Sequence, residues 1–417
     1  MERLDTTVRP YAWGSTTAIP ALLGVEPTGE PQAEMWLGAH PGAPSRLDRG
    51  AGPVSLADVI AADPDTEVGP EVHAAFGPRL PFLLKLLAAD APLSLQVHPD
   101  LAQAAAGHAA EEARGVPLDA PHRTYKDDQH KPELICALTP FEGLCGFRAP
   151  ARTARLLDEL GVPALAGHAA ALREDRDGTA LRQVFTAVLT AGRAAAGAAD
   201  APAAAEPGAD DTTAATVAHV ARAAARLASE SGEFAAACAA YARLARSYPG
   251  DAGVIAALLL NHVRLAPGEA LFLDAGVPHA YLGGLGVEIM AGSDNVLRCG
   301  LTPKHVDVPE LLRIVRFTGG DPRVLLPVRD AHGEEHYETP VTEFRLSRRR
   351  LTADDAPVTP PAGRPQILLC TEGRVRLTAG DGAHTVLTPG QAAYVAASGP
   401  VPACTGEGTL FRATVAL

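Results

Sequence analysis

Five short polar stretches lie far apart between Ser94 and Lys304, and any fold of this chain has to account for their shared character. They are Ser94-Leu95-Gln96-Val97-His98, His130-Lys131-Pro132-Glu133, Gly276-Val277-Pro278-His279, Ser293-Asp294-Asn295-Val296-Leu297-Arg298 and Thr302-Pro303-Lys304. Between them they supply imidazole, carboxylate and amide groups, with fixed cations alongside and no thiolate. Such a nitrogen- and oxygen-rich set suits one metal ion. Structural zinc sites lean on cysteine and stay coordinatively closed, so the mixture fits a catalytic metal better than a structural one.

In the first stretch Leu93, Leu95 and Val97 alternate with Ser94, Gln96 and His98, the period of a half-buried strand. Side chains two apart share a face, so Ser94, Gln96 and His98 project together. Pro99-Asp100 ends the strand and can open a helix. Alone, this is equally an amphipathic strand whose polar face meets water. In the second stretch Lys131 and Glu133 share a face if the chain is extended, and Pro132 fits only an edge or a strand's first residue. The apolar run Leu134-Ile135-Cys136 then puts Glu133 at the mouth of a core, where a carboxylate is costly unless paired or ligated. A plain Lys131/Glu133 surface pair is the alternative.

The third stretch is more specific. Gly268, Asp274, Gly276 and His279 follow the spacing of the second metal motif of cupin barrels: a strand at 270–273, a tight glycine turn, and a histidine delivered at the start of the next strand. Asp274 stands where that motif usually has proline, and Gly283 where it has asparagine.

Together the segments resemble the type I phosphomannose isomerases, a zinc-dependent cupin family. The resemblance runs from Tyr11-Ala12-Trp13-Gly14 and Ala33-Glu34-Met35-Trp36-Leu37-Gly38-Ala39-His40 through Pro92-Leu93-Ser94-Leu95-Gln96-Val97-His98-Pro99. It continues in His130-Lys131-Pro132-Glu133, in Pro278-His279-Ala280-Tyr281, and from Ser293 to Lys304. Gln129 replaces the asparagine expected before His130, and the match is weak over about 150–255.

The resemblance implies Gln96, His98, Glu133 and His279 as ligands of one zinc ion per chain. Two imidazoles suit zinc, and one carboxylate with one neutral amide leave the ion net positive, able to polarise an oxygen. Iron, manganese or cobalt fit the same ligands. The implied reaction interconverts mannose 6-phosphate and fructose 6-phosphate through an enediol. Arg298 is then the oxyanion holder, Lys131 and Glu288 the acid/base candidates, with Asp294 as a partner. Lys85, Ser94, Lys304 and Tyr281 become substrate contacts. Each has a plainer reading as an outward strand residue, a surface arginine or a turn lysine.

The ligands' distribution sets the expected organisation. Residues 1–150 and 256–320 form one catalytic cupin, a jelly-roll barrel, because both donate ligands. Residues 151–255 are a helical insertion rich in alanine, leucine and arginine, exemplified by 215–224, with a low-complexity solvated loop near 194–213. Residues 321–417 are a second, metal-free cupin-like jelly roll, where Val401 stands in place of a metal histidine after Thr388-Pro389-Gly390. The fold class expected is therefore mainly β with an α-helical insertion.

Composition narrows the function classes. With 47% hydrophobic residues the core is ample, yet no uncharged apolar run is long enough to cross a bilayer. Residues 1–10 lack an apolar signal segment, so a cytoplasmic monomer is expected. The six cysteines show no close pairing and read as reduced thiols. A net charge of −13 argues against nucleic acid and requires local cations to attract a phosphosugar.

His332 and His336 are spaced like a helical zinc pair, but Gly333 and Pro340 argue for a loop. Nothing in the spacing of His40 and His305 makes them ligands. Gly283-Gly284-Leu285-Gly286 reads as a turn between strands, without the lysine of a phosphate loop. Two other functions compete: a non-catalytic sugar-phosphate-binding cupin, which does not need Lys131, Glu288 and Arg298 together, and a metal-dependent cupin oxygenase, which an anaerobic assay with zinc against iron separates.

Overall fold

The computed structural model describes residues 1–195 and 209–417. Two large antiparallel sheets, a two-stranded ribbon of Arg46–Asp48 with Pro53–Ser55 and a helical insertion are the main parts of the described chain. The larger sheet has eleven strands, running Val324–Leu325, Ala270–Leu273, Glu133–Ala137, His279–Ala291, Phe82–Ala89, Glu34–Gly38, Thr7–Arg9. Leu95–Val97, Phe141–Phe147, Leu260–Leu265 and Leu297–Gly300 join off that path, with Leu95–Val97 and Phe141–Phe147 both pairing on the first part of His279–Ala291. The second sheet has eight strands, from Glu2–Leu4 beside Ala392–Val395 to Val328–Arg329 beside Glu335–Tyr337. Helices Leu56–Ala62, Leu101–Ala113 and Val308–Ile314 lie outside the insertion, so the fold is mixed α and β rather than mainly β.

The insertion begins with helix Pro150–Leu160 and ends with Gly253–Ala257. In Ala209–Ala228, Val217, Val220, Ala224 and Leu227 recur at helical spacing and are all buried. The core they build also holds Leu95, Val97, Leu144, Ala280 and Leu297, so the helices pack on the reverse of the strands that carry the third and first polar stretches. The expected low-complexity loop falls largely at 196–208, outside the described residues; its flanks at 194–195 and 209–213 are helical.

The two sheets share one buried cluster, in which Leu84, Leu134, Val287 and Ile289 of one meet Leu346, Ile367, Tyr394 and Phe411 of the other. The chain's first strand, Glu2–Leu4, pairs with Ala392–Val395, so residues from both ends complete the second sheet. Gly283 to Gly286 is not a turn. It lies inside the continuous strand His279–Ala291, at an irregularity of register between Tyr281 and Gly283. Glycine there permits a crossing rather than a reversal: at Gly284 (φ 117°) an added Cβ would stand 2.7 Å from the Pro140 carbonyl.

Candidate metal centre

Local alternation presents the candidate ligands. In Leu95–Val97 the leucine and valine are fully buried against the helical core, leaving Gln96 half-buried on the other face. Gln96 pairs in register with His279 on one side and Arg298 on the other, which puts all three side chains on one face of the sheet. His98 follows directly, and Asp100 caps helix Leu101–Ala113 in a reciprocal capping box with Gln103. The turn before His279 is fastened to the first stretch: the Gly276 N–H donates to the His98 carbonyl at 2.9 Å. Glu133 opens its strand after Pro132, and Pro132's carbonyl accepts from Ala291 N–H.

His98, Glu133 and His279 converge and are buried. His98 Nε2 lies 3.5 Å from Glu133 Oε1, and His279 Nε2 lies 3.4 Å from Oε2. Neither contact has hydrogen-bond geometry, so both Nε2 atoms and Oε2 are buried without a hydrogen-bond partner among the described residues. The other ring nitrogens explain why. His98 Nδ1 donates to the Asn295 carbonyl at 2.7 Å, and His279 Nδ1 donates to the Val277 carbonyl at 2.9 Å. With Nδ1 donating to a carbonyl in each ring, both Nε2 atoms are turned towards the carboxylate. Three lone-pair donors that face one another need a cation between them, and carbonyl-oriented imidazoles are the usual support of a metal ligand.

The electrostatics agree with that donor set. Burial first, then Lys131, push His98 down to about 4, so the ring stays neutral. Burial pushes the Glu133 carboxyl up, but Lys131 and the two histidines outweigh it and hold Glu133 well below the ordinary range. Lys131 Nζ sits 2.8 Å from Glu133 Oε1.

A second buried group adjoins the first. Glu288 stands in register opposite Lys85, with Trp36 opposite Lys85 on the far side. Lys85 Nζ reaches Glu288 at 3.1 Å and Glu34 at 3.4 Å. The Tyr281 hydroxyl donates to Glu288 Oε1 at 2.9 Å, and Trp36 Nε1 donates to Glu34 at 2.7 Å. Burial, against the opposing pull of Lys85, raises the Glu288 carboxyl. Lys85 stays charged, because Glu34 and Glu288 outweigh the effect of its burial.

Arg298 is half-buried and has no hydrogen bond or ion pair among the described residues. Desolvation lowers it, and it in turn, after desolvation, lowers the exposed Lys304. Ser94 is half-buried just before the Gln96 strand. Asp294 is exposed, its carboxylate 3.4 Å from His40 Nε2. His40 itself packs edge-on against Trp36. His332 and His336 do not form a helical pair. His336 joins Asp330 and Glu334 near a hairpin, but Arg412 and Ser347 already hold Glu334. Sequence reasoning missed Glu34, Asp127 and Asn295 as parts of the site. The string 33–40 contained Glu34, yet only the register against Phe82–Ala89 brings it to Lys85.

Comparison with known proteins accords with this geometry. A family model for the catalytic domain of type I phosphomannose isomerase matches residues 1–150. Mannose-6-phosphate isomerase of Escherichia coli (strain K12) is 39% identical over 418 residues, covering 99% of each chain. Mannose-6-phosphate isomerase 1 of Arabidopsis thaliana is 33% identical over 400 residues, covering 91% of this chain and 85% of its own. Among solved structures, a mutant phosphomannose isomerase from Salmonella typhimurium superposes over 100% of both chains with TM-score 0.88 and 36% identity. A mannose 6-phosphate isomerase bound with zinc and yttrium gives 0.86 at 36% identity, again over 100% of both chains. The chain belongs to the type I phosphomannose isomerase family, as the sequence resemblance implied.

Proposed function

We propose that this chain interconverts mannose 6-phosphate and fructose 6-phosphate at one zinc ion held by Gln96, His98, Glu133 and His279. The observation that carries the reading is the buried pair of Nε2 lone pairs facing Glu133, in a chain related over its full length to mannose-6-phosphate isomerases. Zinc in that place supplies a Lewis acid for a sugar oxygen. The protein's own groups do the rest. Glu288, its carboxyl raised by burial, takes the proton from C2 and returns it to C1. Lys131 exchanges the proton between O1 and O2, while Arg298 holds the negative oxygen of the enediolate. Lys85 and Tyr281 both contact Glu288 and keep it oriented towards the sugar. Asp294, beside His40, lies at the exposed rim as a partner in proton exchange. Ser94 and Lys304 contact the phosphate, with the unpaired charge of Arg298 nearby.

The same reading gives the architecture its finer form. The larger sheet closes as a cupin jelly roll from residues 1–150 and 256–320, with Val324–Leu325 added at its edge, and the rest of 321–417, joined by Glu2–Leu4, forms a metal-free one. A cytoplasmic monomer is the form this reading takes, and the net charge of −13 leaves the attraction of a phosphosugar to local cations such as Arg298 and Lys304. Incubating the purified, zinc-loaded protein with mannose 6-phosphate should yield fructose 6-phosphate. A chelator should stop the reaction and zinc restore it without oxygen. No product from metal-loaded protein would leave a sugar-phosphate binder, and an oxygen requirement with iron would leave an oxygenase.

A further inference from the structure

One polar cluster outside the substrate-facing groups is unusually complete. Asn295 and Ser293 are almost wholly buried, and every polar atom of their side chains is engaged with the turn at 126–129. The Asn295 amide oxygen accepts from the N–H of Lys126 at 2.7 Å and of Asp127 at 3.3 Å. Its nitrogen donates to the carbonyls of Asp127 and Gln129, both at 2.8 Å. Ser293 Oγ donates to Asp127 Oδ1 at 2.7 Å, and the other Asp127 oxygen accepts the N–H of Asp294 at 2.9 Å. Two turns that are distant in sequence are thus tied along their whole length.

Each tied turn leads straight into the site. The 126–129 turn runs directly into His130, Lys131 and Glu133. The 293–295 turn ends in the Asn295 carbonyl that accepts from His98 Nδ1. The carbonyl is backbone and survives any substitution, but its position depends on the side chain of the same residue. An amide is the one side chain of this size that can both accept from two N–H groups and donate to two carbonyls.

We propose that Asn295 is a positioning residue for the metal centre. By clamping the two turns it holds its own carbonyl against His98, fixing the tautomer that leaves Nε2 free to ligate, and sets Glu133 and Lys131 opposite. The inference rests on the zinc reading above and adds to it a residue that touches neither metal nor sugar.

Asn295→Asp keeps the shape, loses both donated bonds and sets a carboxylate against Asp127. Zinc affinity is measured by chelator competition on the metal-free protein, alongside the melting temperature of that metal-free form. The expected result is a zinc dissociation constant weakened about 10- to 100-fold, the range for loss of a group that orients a ligand, with kcat lowered and KM little changed. Ser293→Ala, which leaves Asn295 in place, should shift the same quantities in the same direction by less, and it serves if the first variant fails to fold. A lowered melting temperature with unchanged zinc affinity in the folded variants would reduce Asn295 to a fold residue and overturn the proposal. Failure of the unaltered protein to bind zinc would overturn the zinc reading itself, and the two failures are read from different samples.

Discussion

At the residue scale, His98 and His279 are legible in the sequence because the residue types carry the chemistry: few side chains offer a neutral nitrogen lone pair at pH 7. Replacing either histidine with alanine should abolish zinc retention, read by metal analysis after gel filtration. Full occupancy in the double variant would remove them from the ligand set. Glu34 and Asn295 were not legible in this way, since their importance lies in cross-strand register and in loop-to-loop hydrogen bonds, which leave no spacing signal. Arg298 falls between. Its type was informative, but its half-buried, unpaired state is visible only in the fold. Arg298→Ala should keep zinc and sugar-phosphate binding yet lose about a hundredfold or more in turnover, the usual consequence of removing an oxyanion donor. Lysine should rescue poorly because it lacks the planar fork. Equal loss of binding and turnover would reassign the arginine to the phosphate, and near-normal turnover would remove it from the site.

Among elements, the strand His279–Ala291 holds the site together, contributing His279, Tyr281 and Glu288 while pairing with four neighbours. Its glycines misled the sequence reading, because Gly-Gly-Leu-Gly ordinarily signals a reversal. Here Gly284 admits the close passage of Pro140 and Phe141, and Gly286 that of Ile135 and Cys136, where the strand passes from one set of partners to the other. Gly284→Ala should therefore destabilise the protein by more than about 1 kcal/mol, measured as a lowered urea midpoint; an unchanged midpoint would show that the backbone yields there. The helices were more legible, since their apolar period repeats over several turns. What no periodicity revealed is where they pack, namely on Leu95 and Val97 behind the proposed ligands.

Across the whole molecule the second sheet meets the approach to the candidate metal centre through the shared core and through a polar contact. His130 Nε2 lies 2.6 Å from Glu343 Oε1, joining the lead-in to Lys131 with the residues just before the strand Arg345–Leu351. Burial pushes the Glu343 carboxyl up, but His130 and backbone N–H groups outweigh it and hold it below the ordinary range. Such a carboxyl is ionised in the fold where the unfolded chain would be protonated. Its contribution is thus complete above the unfolded value of about 4.3 and is lost as pH falls through the lower folded value. Glu343→Gln should lower stability at neutral pH and flatten the acid limb of a denaturation series taken from about pH 5 downwards; an unaltered acid limb would show that the pair contributes nothing. The pairing of Glu2–Leu4 with Ala392–Val395 carries a consequence for biosynthesis. A polypeptide is made from its amino end, so Glu2–Leu4 has no sheet partner until residues 392–395 have been joined. His279 likewise arrives long after His98 and Glu133, so a nascent chain offers a metal ion an incomplete pocket until residue 279 has been added. An ion held by these three residues is therefore captured only after residue 279 has been made, and the strand Glu2–Leu4 stays without its sheet neighbour until residues 392–395 follow.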